Sequence, residues 1–374
     1  MPPGQSVIAI LCVLASSVAF APSATDGPRP RVLDTRNVIL VVTDGLRWQE
    51  VFGGADSALL FGDPRRVGGD TAGIRRDFWR PTAAERRNAL LPFVWGTIGR
   101  RGQLFGNVDG GSRVLVTNRL NFSYPGYHEM LVGFVDSLID SNDFGPNPNV
   151  TVFEWLNQRD EYRGKVAAFA TWDAFDDIFA RERSGIVMHT GWARPYPSPR
   201  DPHDSLMNRL YATTHREWEN NAWDGFMHAV MLRHLRAQQP RVVFIGYGET
   251  DEWAHAGRYD RYLRSARRVD SFLAELWSFF QSHPDYRGQT TMIVTTDHGR
   301  GRTAQDWSNH GADVPGAEEM WLAIIGPDTP ALGERANVRP VIQSQIASTL
   351  AAFLGFDYRG EMRRPAPAIA DVVR

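Results

Sequence analysis

Short apolar runs recur along the chain and are separated by stretches of helical spacing. Residues 37–43 (NVILVVT), 164–171 (GKVAAFAT), 241–247 (RVVFIGY), 291–296 (TMIVTT) and 319–326 (EMWLAIIG) are apolar or β-branched almost throughout, as strands covered on both faces require. Residues 103–107 and 113–117 are shorter strand candidates around the turn Asp109-Gly110-Gly111. Apolar residues at helical spacing predict helices over 83–100, 127–139, 150–159, 205–239, 258–281 and 341–354. Strands alternating with amphipathic helices predict the α/β class, as a three-layer α/β/α sandwich with a mostly parallel central sheet. Residues 53–73 and 181–217 break the alternation and are expected to form a cap from insertions. Residues 118–126 and the breaker-rich 141–149 (SNDFGPNPN) read as loops. The catalytic domain is expected over 37–360, with a tail over 361–374.

The N-terminus departs from this pattern. Residues 6–20 (SVIAILCVLASSVAF) carry no charge and have the length of a signal-peptide core, too short for a membrane span. A signal peptide over 1–21 and a linker over 22–36 are therefore expected, giving a secreted or periplasmic protein with no membrane span after cleavage. The single cysteine, Cys12, lies inside that run. The mature chain would have neither disulfide nor thiol ligand, so any metal must be held by His and carboxylate. A net charge of −2 over 374 residues offers no basic surface for nucleic acid.

Against that background the strand ends stand out. Asp44 follows the first strand, Asp251 and His255 follow the strand at 241–247, and Asp297-His298-Gly299 follows the strand at 291–296. His310 precedes the last strand. Open α/β sheets bind ligands beyond the carboxyl ends of their strands. Three carboxylates and three imidazoles there suit zinc better than magnesium, which prefers oxygen ligands alone. Asp251 and His255 are four apart, so one helical turn puts them on one face. Ser123 sits in a loop before a predicted helix, where a hydroxyl needs a base or a metal to become nucleophilic. Arg300 follows the metal pair closely and is a candidate phosphate contact, and Arg47 and Trp48 are candidates for the pocket mouth.

In this order the motifs resemble the alkaline phosphatase superfamily, and within it the type I phosphodiesterase/nucleotide pyrophosphatase branch. The matching pieces are Asp44, then Ser123-Tyr124-Pro125-Gly126, Asp251-x-x-x-His255, Asp297-His298-Gly299 and His310-Gly311. The resemblance implies two Zn2+, one held by Asp251, His255 and His310 and the other by Asp44, Asp297, His298 and the Ser123 oxygen. It implies a phosphoseryl intermediate formed from a small-molecule phosphate ester, and an asparagine near the phosphoryl oxygens, for which Asn142 and Asn147 are candidates. One departure bears on substrate, because the branch usually has Thr where this chain has Ser123.

Three other functions compete. A sulfatase on the same fold would show C/S-x-P-x-R, but Tyr127 stands at the Arg position. A phosphomonoesterase would place Arg or Lys beside the nucleophile, and none occurs between Asn121 and Met130. A non-catalytic ectodomain would have no reason to keep all seven site residues.

Overall fold

The computed structural model describes residues 32–63 and 68–374, so the expected signal segment and most of the linker lie outside the described residues. The apolar runs become strands β1 (Asn37–Thr43), β2 (Gln103–Phe105), β3 (Val114–Leu115), β4 (Val166–Ala170), β5 (Val187–Thr190), β6 (Val242–Tyr247), β7 (Thr290–Thr295), β8 (Glu319–Met320), β9 (Leu322–Ile325), β10 (Gly333–Glu334) and β11 (Val341–Ile342). Eight form one sheet in the order β10-β2-β9-β7-β1-β6-β4-β5. Within it β7, β1, β6, β4 and β5 run parallel, and β9 runs antiparallel between β7 and β2.

Side chains alternate across the sheet and so sort into two cores. Ile39 and Val41 of β1 pack with the helices Tyr259–Ser282 and Asp224–Gln238. Val38, Leu40 and Val42 pack on the opposite face with the helices Ser123–Val132, Val152–Asn157 and Gln345–Phe353. The result is the three-layer α/β/α sandwich expected from the alternation. The stretch 53–73 sends Leu59 and Leu60 into the first core, and 181–217 sends Trp192, Met207 and Tyr211 into a small cluster of their own.

Several boundaries differ from expectation for local reasons. The run 83–100 is interrupted at Leu91, before Pro92, where a helix cannot continue normally. The chain resumes as a π-helical turn at Val94–Ile98, and the Asp270 carboxylate accepts from the backbone N–H of Phe93 and Val94 at 3.0 and 2.9 Å. The run 205–239 divides into the helices Pro202–Thr213 and Asp224–Gln238. The run 319–326 divides at Trp321, so that β8 joins a three-stranded sheet with β3 and β11 while β9 stays in the main sheet. The helix expected over 127–139 begins at Ser123 and ends at Gly133, whose φ of 82° closes it.

Candidate active site

Strand register brings the motifs together. Thr43 lies level with Tyr247, and Val42 with Thr295. Asp44, the helix Glu249–His255 and Asp297-His298 therefore leave the sheet at one edge. Gly45 (φ +58°) makes this turn possible, since a Cβ there would stand 2.7 Å from both Arg300 Nε and Asp251 Oδ1. Gly126 does the same for the serine helix, where a Cβ would meet the Asp297 carbonyl oxygen at 2.6 Å. The first turn of that helix thus rests on the backbone of the Asp297-His298 loop.

The imidazoles are oriented by their Nδ1 atoms. His298 Nδ1 lies 2.9 Å from the Gly299 carbonyl and His310 Nδ1 lies 3.1 Å from that of Asn121. Such bonds fix the tautomer and leave Nε2 as the ligand atom. His298 Nε2 then faces Asp44 Oδ1 (3.5 Å), Asp297 Oδ2 (3.5 Å), Asp251 Oδ1 (3.8 Å) and Ser123 Oγ (3.4 Å). His310 Nε2 lies 3.0 Å from His255 Nε2, and His255 Nε2 lies 3.1 Å from Asp251 Oδ2. Two sets could each hold a cation, with ligand atoms within 4.8 Å of one another: Asp251, His255 and His310, and Asp44, Asp251 and His298. Asp251 belongs to both, which the sequence assignment to a single ion did not foresee.

The donor set fits a cation. Asp44 Oδ1 and Asp297 Oδ2 are buried without a hydrogen-bond partner among the described residues. An orphaned buried oxygen of this kind costs about 1–3 kcal/mol, more when charged. Without a cation, burial and the Asp297 carboxylate push Asp44 up to about 8, and burial pushes Asp297 up to about 6. Burial holds His298 and His310 below the ordinary imidazole range, and His310 is lowered further by His298, Arg300 and His255.

These shifts predict a pH-dependent stability. Asp44 binds its proton more tightly in the fold, so its contribution is complete below 3.8 and is lost as pH rises through about 8. His298 and His310 act oppositely, contributing above 6.5 and losing that contribution as pH falls. His128, His189, His228 and His234 are likewise held below 6.5 by burial, so the imidazoles raise stability around that pH, and Asp44 sets the slope only as pH approaches 8. The Tm of chelator-treated protein should therefore fall as pH rises through about 8, and that of zinc-loaded protein should fall less. A flat or rising Tm in the treated protein contradicts this account.

The remaining sequence-selected residues separate into two groups. Ser123 opens its helix beside His298, and Asn142 Oδ1 accepts from the Tyr124 N–H at 2.9 Å, holding the helix start. Asn147 is not brought to the site. It is fully buried, with Nδ2 donating to the Ile178 carbonyl and Oδ1 accepting from the Asn149 N–H. Arg300 is 1% exposed and donates to the carbonyls of Gly45 (3.1 Å) and Ser308 (2.5 Å) and to the Asp251 carboxylate. It positions Asp251 instead of reaching substrate. Arg47, expected at the pocket mouth, is fully buried against Glu50 and donates to the Gly301 carbonyl at 3.0 Å. Tyr127 was missed as a site residue. Its hydroxyl donates to Asp44 Oδ2 at 2.9 Å and leaves Oδ1 facing His298. Its place four residues after Ser123, one helical turn on, was the available signal.

Asp44, Asp251 and Ser123 open onto a cleft of about 740 Å³. Its other walls come from the loop at Asn142, the turn at Trp172–Asp177 and the segment at Asn221. No arginine or lysine lines it among the described residues.

The Metalloenzyme superfamily model matches residues 219–356, which carry five of the six candidate metal ligands. The chain is similar to human GPI ethanolamine phosphate transferase 1, with 26% identity over 240 residues, 62% of this chain. It spans 23% of that curated relative's length. Among solved structures it is similar to the lipoteichoic acid synthase LtaP from Listeria monocytogenes (TM-score 0.54, 10% identity, 87% of this chain and 72% of that one). A putative sulfatase from Bacteroides thetaiotaomicron gives 0.53 at 12% identity, covering 86% and 71%. The phosphonate monoester hydrolase SpPMH from Silicibacter pomeroyi gives 0.50 at 12% identity, covering 86% and 73%. The architecture shared across these neighbours, and the one this chain has, is an alkaline phosphatase-like α/β/α fold.

Proposed function

We propose that the chain is a metal-dependent hydrolase of phosphate esters with Ser123 as its nucleophile. The observation that carries this reading is Ser123 Oγ at a helix start, 3.4 Å from His298 Nε2, within the ring of Asp and His side chains. Asp251, His255 and His310 would hold one Zn2+, and Asp44, Asp297, His298 and Ser123 a second, with Asp251 able to serve both. Bound zinc would lower the pKa of the serine hydroxyl and neutralise charge on the phosphoryl oxygens. Ser123 Oγ attacks phosphorus, the ester oxygen leaves, and a phosphoserine forms at the positive end of the helix dipole. Tyr127 and Arg300 hold Asp44 and Asp251 in place during this step. Attack on the phosphoserine by water completes hydrolysis. Attack by an alcohol would complete the transfer that the name of the human relative describes. The apolar residues 6–20 support export to the periplasm or medium.

A phosphodiester suits the cleft better than a monoester, because its walls are acidic and would repel the second negative charge. A second reading, hydrolysis of sulfate esters, is favoured by the putative sulfatase among the structural neighbours. Turnover of bis-p-nitrophenyl phosphate, p-nitrophenyl phosphate and p-nitrophenyl sulfate by zinc-loaded protein separates them. The diester should be hydrolysed fastest. Preference for the sulfate establishes the second reading, and inertness toward all three overturns both.

A further inference from the structure

The insertion over residues 181–217 does not close against the sheet edge it leaves. Strand β5 ends the main sheet on that side, and the chain runs on from it through Tyr196 into the helix Pro202–Thr213. The apolar side chains of this stretch, Trp192, Met207 and Tyr211, gather in a cluster with Ala222 and Val230. A cavity of about 1240 Å³ is left between the insertion, β5 and the helix Asp224–Gln238. Among the described residues that line it are neither Ser123 nor any candidate metal ligand. Asp176 lines both this cavity and the cleft at Ser123, so the two adjoin.

Two features of the cavity are independent of one another. The first is its floor. Val187, Met188 and Ala229 present apolar surface to it, and Val187 is 47% exposed. A strand-edge valine left half open is apolar area that a ligand can still remove from water. The second feature is charge. Among the described residues, five arginines and two carboxylates line the cavity. The carboxylates are engaged, Asp176 with Arg181 at 2.5 Å and Asp204 with Arg233 at 2.8 Å. Arg194, Arg200 and Arg236 are exposed at the rim, and their guanidinium groups pair with no carboxylate among the described residues. Arg236 reaches only the ring of Phe279, 6.0 Å away. The cleft at Ser123 has the opposite character, with no arginine or lysine among the described residues of its walls. A chain of net charge −2 has no general excess of cations to account for three unpaired arginines round one cavity.

We infer that this cavity binds an amphiphilic organic anion, a soluble molecule with a carboxylate, sulfonate or phosphate group on an apolar body. The apolar body would lie against β5 and the helix Asp224–Gln238, with the anionic group held by Arg194, Arg200 and Arg236. Guanidinium groups suit such oxygens, because their paired N–H donors match two oxygens at once and their charge is permanent near neutral pH. An uncharged apolar ligand would leave the arginines unused, and inorganic phosphate would leave the floor exposed to water. A space that joins an apolar floor to a few polar groups is the usual form of a small-molecule site. It stands outside the metal centre, so the inference holds whichever ester that centre hydrolyses.

Fluorescence titration of the zinc-loaded protein with 8-anilinonaphthalene-1-sulfonate and with N-phenyl-1-naphthylamine tests this, because the two probes differ only by the sulfonate. Wild-type protein should bind the sulfonate at a single saturable site, about tenfold more tightly than the uncharged amine, the effect of three exposed ion pairs. Raising the sodium chloride concentration from about 0.05 to 0.5 M should shrink that ratio. In Arg194→Gln/Arg200→Gln/Arg236→Gln the ratio should fall toward one. Val187→Ser should weaken both probes by a similar factor, since it removes apolar floor and no charge. Equal affinities in the wild type, or sulfonate binding that does not saturate, overturn the inference. An undiminished ratio in a folded triple variant, or unchanged affinities in Val187→Ser, overturns it too, because the probe is then bound elsewhere. Should the triple variant not fold, the three single Gln variants decide the question, each expected to lower the ratio about twofold.

Discussion

Ser123→Ala should reduce turnover by about 10³-fold or more while keeping zinc at the set of Asp251, His255 and His310. The substitution removes the atom that forms the covalent intermediate, and nucleophile deletions in enzymes of this mechanistic type have effects of that size or larger. It removes little else. Among the described residues Ser123 Oγ has one hydrogen-bond neighbour, His298 Nε2 at 3.4 Å, so stability should change by about 1 kcal/mol at most. The three Asp251, His255 and His310 ligands are untouched. Ser123→Thr keeps the hydroxyl and should keep measurable turnover. Wild-type protein quenched during turnover should carry one phosphoryl group on the peptide containing Ser123. Near-wild-type turnover in Ser123→Ala would mean that water attacks the ester directly.

Asp251→Asn should be the most damaging change to the metal centre, because Asp251 alone belongs to both candidate ligand sets. His255→Ala should lower zinc at one set, and Asp251→Asn at both. The same change takes the negative charge from the buried Arg300 guanidinium, which would keep the backbone carbonyls of Gly45, Ser308 and residue 251. Leaving a buried charge unpaired costs ~3 kcal/mol. Metal-stripped Asp251→Asn should therefore melt well below metal-stripped wild type. Elemental analysis and calorimetric Tm measure the two effects. Wild-type zinc content in Asp251→Asn would remove Asp251 from the ligand sets.

The layered sheet was readable because buried parallel strands leave a strong local signature. Asn37–Thr43 and Val242–Tyr247 are apolar or β-branched almost throughout and need no tertiary context to be recognised. The start of the serine helix was not readable, because Pro125-Gly126 has the composition of a turn. Proline is tolerated in a first helical turn, where its missing N–H would be unpaired anyway, and glycine is required there by the Asp297 carbonyl. Only the second fact explains the motif, and it is a contact across 171 positions in the chain (297 against 126). Arg300 was misread for a related reason. An arginine beside a metal motif looks like a phosphate ligand until the carbonyls that enclose it are known. The acidic wall of the cleft gave no signal at all, since Asp143, Asp173, Asp177 and Glu252 meet only through folding.

The two ligand sets differ in how they can come apart. The side chain of His255 is 51% exposed, and His310 arrives on a loop, so either can swing out while the sheet stays intact. Asp44 and His298 sit at the level ends of β1 and β7, and the His298 side chain is fully buried. Their backbone is held by the central strands, so neither can swing away with a loop. A chelator should therefore empty the protein in two kinetic phases, with the set containing His255 in rapid exchange with solvent metal and the set containing His298 released more slowly.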